Sequence, residues 1–213
     1  MRAFSIVFVS AVIVTVVAIV ATAQKAQSTD LSKPSLLVAT RDLQDPFFEH
    51  AVILMVPSAE PPLLAGLIIN NPDKRRVRDI FPQARQLKSV EEAIYLGGPV
   101  EPDVTSVIFR ASSPIGSAVR VFDDTYVATG NDAIAAVLKD PQISDLRVIS
   151  GKAQWSRDQL DGEVMEGVWY VFPAGADLIF GDPKDLWSML VKGGQLEEAK
   201  AAFTAPINLP FSR

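Results

Sequence analysis

The sequence predicts one α+β domain, a mainly antiparallel, twisted sheet flanked by helices and preceded by an apolar N-terminal helix. Three observations predict it. Short, continuous apolar runs of strand length, bounded by proline, aspartate and asparagine, fill the first part of the chain and follow one another through short turns. Capped segments with helical spacing of apolar residues concentrate after Gly130. A chain of 213 residues, 48% hydrophobic, has the length of one domain plus a targeting segment, and no internal repeat divides it.

Residues 1–23 read as a signal peptide or an N-terminal membrane anchor. Arg2 is a minimal positive start, and no charged residue follows from Ala3 to Ala23. Ile6–Val20 is apolar except for Ser10 and Thr15, and Ala21-Thr22-Ala23 places small residues where a signal peptidase requires them. A helix of that length spans roughly 30 Å, enough to cross a bilayer. Cleavage and retention both remain open, and either predicts an exported domain, periplasmic or membrane-anchored. Residues 24–34 are a polar linker and 35–213 the folded domain.

Ser35–Thr40, Ala51–Val56 and Leu63–Asn70 read as buried strands, separated by a loop at Asp45-Pro46 that Phe47 and Phe48 should both staple to the core, and by the turn Pro57 to Pro62. Lys74-Arg75-Arg76 and Arg78 form a basic cluster, read as a solvated loop, with a short helical turn suggested by Val77, Ile80 and Phe81. A strand ends at Gly97, and Val104–Phe109 is the next. Val119–Phe122 and Tyr126–Thr129 form a hairpin about Asp123-Asp124. Asn131 should cap a helix over Asp132–Lys139, ended by Pro141. Leu146–Ile149 is a strand. Ser156 with Gln159 is a capping-box pattern that starts a helix near Arg157. Val168–Phe172 is an aromatic strand. Asp182-Pro183 should start a helix carrying Leu186, Trp187, Leu190 and Val191, stopped by Gly193-Gly194, before a last helix over Gln195–Phe203. The count is roughly eight strands and four helices.

Composition excludes several chemistries. The absence of cysteine removes disulfides, thiolate nucleophiles and cysteine-ligated metals. A formal charge of −5 disfavours phosphate backbones, so no nucleic-acid partner is expected. His50 is the only histidine, and no Gly-x-Ser-x-Gly or phosphate-cradling glycine motif accompanies it. A turn histidine is the simplest reading, and neither a metal nor a cofactor is expected. Asp123-Asp124 reads as a turn. The basic cluster at 74–78 could meet an anionic lipid surface, but neighbouring acids weaken it.

An ordered set of segments gives the chain its affinity. These are Leu36-Leu37-Val38-Ala39, Asp45-Pro46-Phe47-Phe48 leading into Ala51–Met55, Gly66-Leu67-Ile68-Ile69-Asn70, Gly97-Gly98-Pro99-Val100, Trp155 with Gln159-Leu160, Trp169 with Pro173, and Trp187. In this order the chain resembles the YqgE/AlgH family (UPF0301) of uncharacterised bacterial proteins, over about Ser35 to Val191. The resemblance implies an α+β fold and carries over no catalytic residue. It also implies a link to transcriptional regulation of exopolysaccharide synthesis, for which the sequence holds no DNA-reading motif. Where the family has Asn-Arg-Pro, this chain has Asn70-Asn71-Pro72. Where the family has Ala-Gly-Trp-Gly-Pro-Gly-Gln-Leu, it has Ala153-Gln154-Trp155-Ser156-Arg157-Asp158-Gln159-Leu160, with every glycine lost.

The corner Gly97-Gly98-Pro99, with Glu101 beyond it, is either a rigid structural turn or, with Asn70 and Asn71, a backbone-lined groove for a ligand or protein partner. Trp155 is read as core or as pocket wall, as are Trp169 and Trp187. The expectation is therefore a non-catalytic binding or regulatory domain at the cell envelope, with a protein partner there and the membrane engaged through an uncleaved N-terminal segment. The alternatives are a hydrolase using carboxylates alone and a membrane-tethered cytoplasmic regulator.

Overall fold

The first apolar runs show no alternation because both faces of their strands are covered. This is visible in a computed structural model of the chain, which describes residues 33–82, 93–143 and 145–204, the last nine as backbone alone. The elements run β1 (Ser35–Ala39), β2 (Val52–Val56), β3 (Leu64–Ile68), β4 (Pro72–Arg76), α1 (Val77–Ile80), β5 (Ala93–Leu96), β6 (Val100–Arg110), β7 (Val119–Phe122) and β8 (Thr125–Thr129). They continue α2 (Asn131–Lys139), β9 (Leu146–Trp155), α3 (Arg157–Met165), β10 (Trp169–Pro173), α4 (Ala176–Phe180) and α5 (Leu186–Thr204).

The sheet order is β10-β1-β2-β3-β9-β6-β8-β7, with β5 set beside β9 and β4 beside β5. Every pairing is antiparallel except β5 with β9, where Tyr95 meets Ile149 and Leu96 meets Ser150. Strand β9 joins the two halves. Its first part pairs with β6, and Ala153–Trp155 pairs with β3. The α+β fold with a mainly antiparallel, curled sheet is thus as the sequence predicts.

Period-two alternation sorts side chains among three cores. Leu36, Val38, Val52, Leu54, Leu67 and Ile149 enter the central one, closed at one end by Ile179 of α4 and Leu186, Leu190 and Val191 of α5. Leu37, Ile53, Ile68 and Trp155 face the opposite way, onto Leu160 and Val164 of α3. Val107, Phe109 and Val148 pack under Ile134, Val137 and Leu138 of α2. Arg147 is a charged residue buried between these layers. Its guanidinium donates to the carbonyls of Ile69 (2.6 Å) and Gly181 (2.8 Å) and lies over the Tyr95 ring, so the cation joins β3, β5 and the end of α4.

Several boundaries differ from expectation. The basic residues 74–76 lie on a strand, β4, because the backbone pairs with β5; the helical turn begins only at Val77. The strand expected over Leu146–Ile149 runs to Trp155, since β3, β5 and β6 all pair with it. Asn131 is inside α2 rather than its cap, which is Gly130. Ser156 does cap α3, accepting from the Gln159 amide at 3.1 Å. Asp182 accepts from the Lys184 amide in a turn, and the helix starts three residues past Pro183, at Leu186. Gly193-Gly194 does not stop that helix. A Cβ on Gly194 would lie 2.9 Å from the Tyr170 ring, so the glycines let α5 press on β10. Helix α4 carried no sequence signal that singled it out.

Among the described residues no helix is long and apolar enough to cross a membrane. The apolar segment 1–23, the linker up to residue 32 and the side chains of the last predicted helix lie outside the described residues.

Candidate functional site

Asp45 sets the site by sending two adjacent phenylalanines in opposite directions. Its Oδ1 accepts from the amides of Phe47 (2.8 Å) and Phe48 (3.1 Å), fixing a tight turn. Phe48 packs inward against Trp155 and Trp169. Phe47 points out and is 57% exposed.

His50 follows in a left-handed conformation, φ 61°, which costs a non-glycine residue free energy unless its surroundings hold it. Asn70 supplies the hold. Its Oδ1 accepts from the Val52 amide at 2.8 Å, and its Nδ2 donates to the His50 carbonyl at 2.9 Å. The His50 ring rests 4.0 Å from that of Trp187, whose indole N–H donates to the Ala39 carbonyl at 2.8 Å. Glu49 lies 3.9 Å from His50 Nε2. Ser188 lines the same hollow and donates its hydroxyl proton to the Asp185 carbonyl at 3.0 Å.

These residues border a hollow of about 590 Å³ between the β1–β2 loop, the end of β3 and the start of α5. A second hollow, about 320 Å³, lies beside it, lined by Leu96, Gly98, Pro99, Asp103 and Arg75. Phe47, Ile68 and Asn71 border both, so the two form one groove with Phe47 at its middle. Leu96, 39% exposed, is the second uncovered apolar side chain along it.

The groove's far wall is the glycine corner. The Gly97 carbonyl accepts from Ile68 N–H (3.0 Å), its amide donates to Ser150 (2.8 Å), and the Leu96 amide donates to Asn71 (2.8 Å). A Cβ on Gly97 would strike the Gly151 carbonyl and Ile149. One on Gly98, whose φ is 147°, would strike the Lys152 backbone. The strand that demands glycine here is β9 of the same chain.

The structure therefore brings Asn70, Asn71, Gly98 and Pro99 to one groove, with Asn70 engaged in holding its wall. Gly97 is packed behind that wall. Glu101 turns to Lys152 on β9, at 3.0 Å. Trp155 is in the core beneath α3, where its indole and that of Trp169 both donate to Glu163 Oε2, at 3.1 and 2.8 Å. Of the three tryptophans read as core or pocket wall, Trp187 alone lines the groove, whereas Phe47, Leu96 and Pro183 were not singled out as site residues from sequence. The paired Phe47-Phe48 carried a signal that both would be buried, and nothing local separates the two. Among the described residues no group of three or more histidine, aspartate or glutamate side chains could hold a metal ion.

The fold and groove define a class first: a one-domain α+β protein with a curled sheet and an open, aromatic-floored cleft. The family model described as AlgH-like (DUF179) matches residues 36–197. The chain belongs to that AlgH-like family, UPF0301. It is 30% identical over 155 residues to a UPF0301 protein of Serratia proteamaculans, covering 69% of this chain and 82% of that protein. With a UPF0301 protein of Thermobifida fusca it shares 31% over 175 residues, 76% and 87% of the respective chains. The solution structure of AlgH from Pseudomonas aeruginosa superposes with a TM-score of 0.60 at 22% identity, covering 87% of this chain and 96% of that one. An X-ray structure of a Corynebacterium diphtheriae protein gives 0.65 at 21%, with 80% and 91% covered. At these identities the two structures show the fold alone.

Proposed function

We propose that this domain is a non-catalytic binding protein with a regulatory role. It receives an apolar-faced segment of a protein partner along the Phe47 groove. It works outside the cytoplasm at the cell envelope, delivered there by the apolar segment 1–23. The observation that carries the reading is Phe47. A large aromatic side chain is left in solvent by a turn that simultaneously buries its neighbour, midway along a groove with Leu96 beside it and Trp187 on its floor. Solvent-exposed aromatic anchors surrounded by polar groups (Asn71, Glu49, Lys184, Asp185) are the usual composition of a protein-binding patch. The walls are pre-formed, so little ordering cost falls on the receptor.

The test has two arms. Fractionation with added protease on intact and opened cells reads the location, and a domain protected inside intact inner membrane contradicts the envelope placement. Cross-linking in the envelope followed by partner identification reads the binding. Phe47→Ala with Leu96→Ser should remove the cross-linked partner while circular dichroism and thermal midpoint stay unchanged. Undiminished capture by the double variant overturns the groove as the binding surface.

A further inference from the structure

Away from the groove, and sharing no lining residue with it, the rim of the central core opens into a chamber of about 160 Å³. Its walls are mainly apolar, Ala65 and Leu67 of β3, Val127 of β8, Val104 of β6, Val56 of β2 and Pro57 beyond it, with the hydroxyls of Ser106 and Thr129 hydrogen-bonded to each other at 2.9 Å. Val104 stands at the mouth, 40% exposed. A cavity of about 150 Å³ with apolar walls holds a benzene ring, so this chamber has room for one aromatic ring or a short branched alkyl group.

The rim is charged in a particular way. Lys152 Nζ meets Glu60 Oε1 at 2.6 Å and Glu101 Oε2 at 3.0 Å. Two carboxylates share one ammonium, which leaves one negative charge over at the edge of an apolar chamber. Glu101 adopts φ 49°, a backbone state unfavourable for its residue type, and its half-exposed carboxylate meets Lys152 at the chamber's edge, where solvent and ligand can both reach it. An anion would have to displace a glutamate from Lys152. A cation meets carboxylate oxygens that the single lysine leaves unneutralised.

We propose that this chamber is a second, small-molecule site, taking organic ammonium compounds whose apolar body is about the size of a benzene ring and whose cation is held at the rim by Glu101 and Glu60. The β2–β3 connection, tied down through Glu60, covers the bound body.

The probe is benzylammonium, titrated into the full chain as the producing cell processes it, with binding read by calorimetry and by amide shifts of Ala65, Val104, Val127 and Gly151. Saturable one-to-one binding is expected, with shifts confined to those walls. Val104→Phe, a change at an exposed mouth that leaves the core intact, should weaken it at least tenfold. So should Glu101→Gln. Benzoate and toluene at the same concentration should bind at least tenfold more weakly than benzylammonium. Benzoate or toluene binding as well as benzylammonium overturns the assignment. So does indifference to Val104→Phe, or a folded chain that binds no benzylammonium at all.

Discussion

Two aromatic clusters meet at Phe47-Phe48, and they end in different states. On one side Trp169 packs edge to face against Phe48 and Trp155, and both indole N–H groups are satisfied by one carboxylate, Glu163, itself held by Gln159. Helix α3 lies over them. On the other side the His50–Trp187 ring pair shares its hollow with Phe47 and has no cover, and only Trp187 has its polar atom committed to the backbone. The difference is whether an element of the chain closes the cluster. Closure gives stability, and a firm but unclosed cluster gives a surface that another molecule can complete.

If the open side is a firm surface, its wall must resist deformation. Gly98→Ala places a Cβ into the Lys152 backbone at a φ of 147°, combining strain with overpacking. A loss of about 3 to 5 kcal/mol is expected in urea unfolding. A variant of unchanged stability would show a wall that yields. Next in size, Glu163→Ala removes the acceptor of two indoles in the closed cluster. It should cost about 2 to 3 kcal/mol and change tryptophan emission, with Glu163→Gln recovering part of both. Asn70→Ala frees the Val52 amide and the His50 carbonyl, for about 1 to 2 kcal/mol. Adding His50→Gly, which removes the left-handed strain, should return part of that loss. The smallest effect lies in Gly162→Ala on α3, where a Cβ meets nothing within 4 Å. It should stabilise by about 0.5 to 1 kcal/mol.

A pH series separates both clusters from the β2–β3 connection, a strap tied to Lys152 through Glu60. The Lys152 hydrogen bond holds the Glu60 carboxyl below its ordinary 4.5, and Glu60 in turn raises Lys152 above 10.5. The Glu60 contribution is present above its unfolded value and lost as pH falls through the depressed one. The Lys152 contribution is present below its unfolded value and lost as pH rises through the raised one. The strap should therefore stay closed from about pH 5 to about pH 10. Hydrogen exchange at the Ala59, Glu60 and Leu63 amides, corrected for intrinsic rates, should accelerate outside that window before the clusters respond.

Much of the fold was legible because burial writes itself into composition. The runs at 36–39 and 51–56 read as buried strands and are strands, and Ser156 with Gln159 marked where α3 begins. The misread places are those where tertiary contacts override local signals. Gly193-Gly194 reads as a stop, yet the helix continues because Tyr170 and Phe172 need the room. Trp155 offered no local sign of which way it faces, since the pairing of β9 with β6 shifts register between Val100 and Thr105, beside Gly151 with its φ of 78°, before β9 reaches it. In the groove, Asn70, Asn71, Gly98 and Pro99 were readable as turn residues. Phe47 was not, because its orientation depends on one aspartate oxygen two residues away.

Photo-crosslinking decides whether another molecule completes the open side. A photoreactive residue placed at Phe47, and separately at Met165, which is 65% exposed at the end of α3 beside the closed cluster, should be activated in producing cells. The prediction is one discrete adduct from position 47, identical in repeated preparations and suppressed by Leu96→Ser, and none from position 165. Equal labelling from both positions, or none from position 47 in a folded and correctly placed chain, would contradict it.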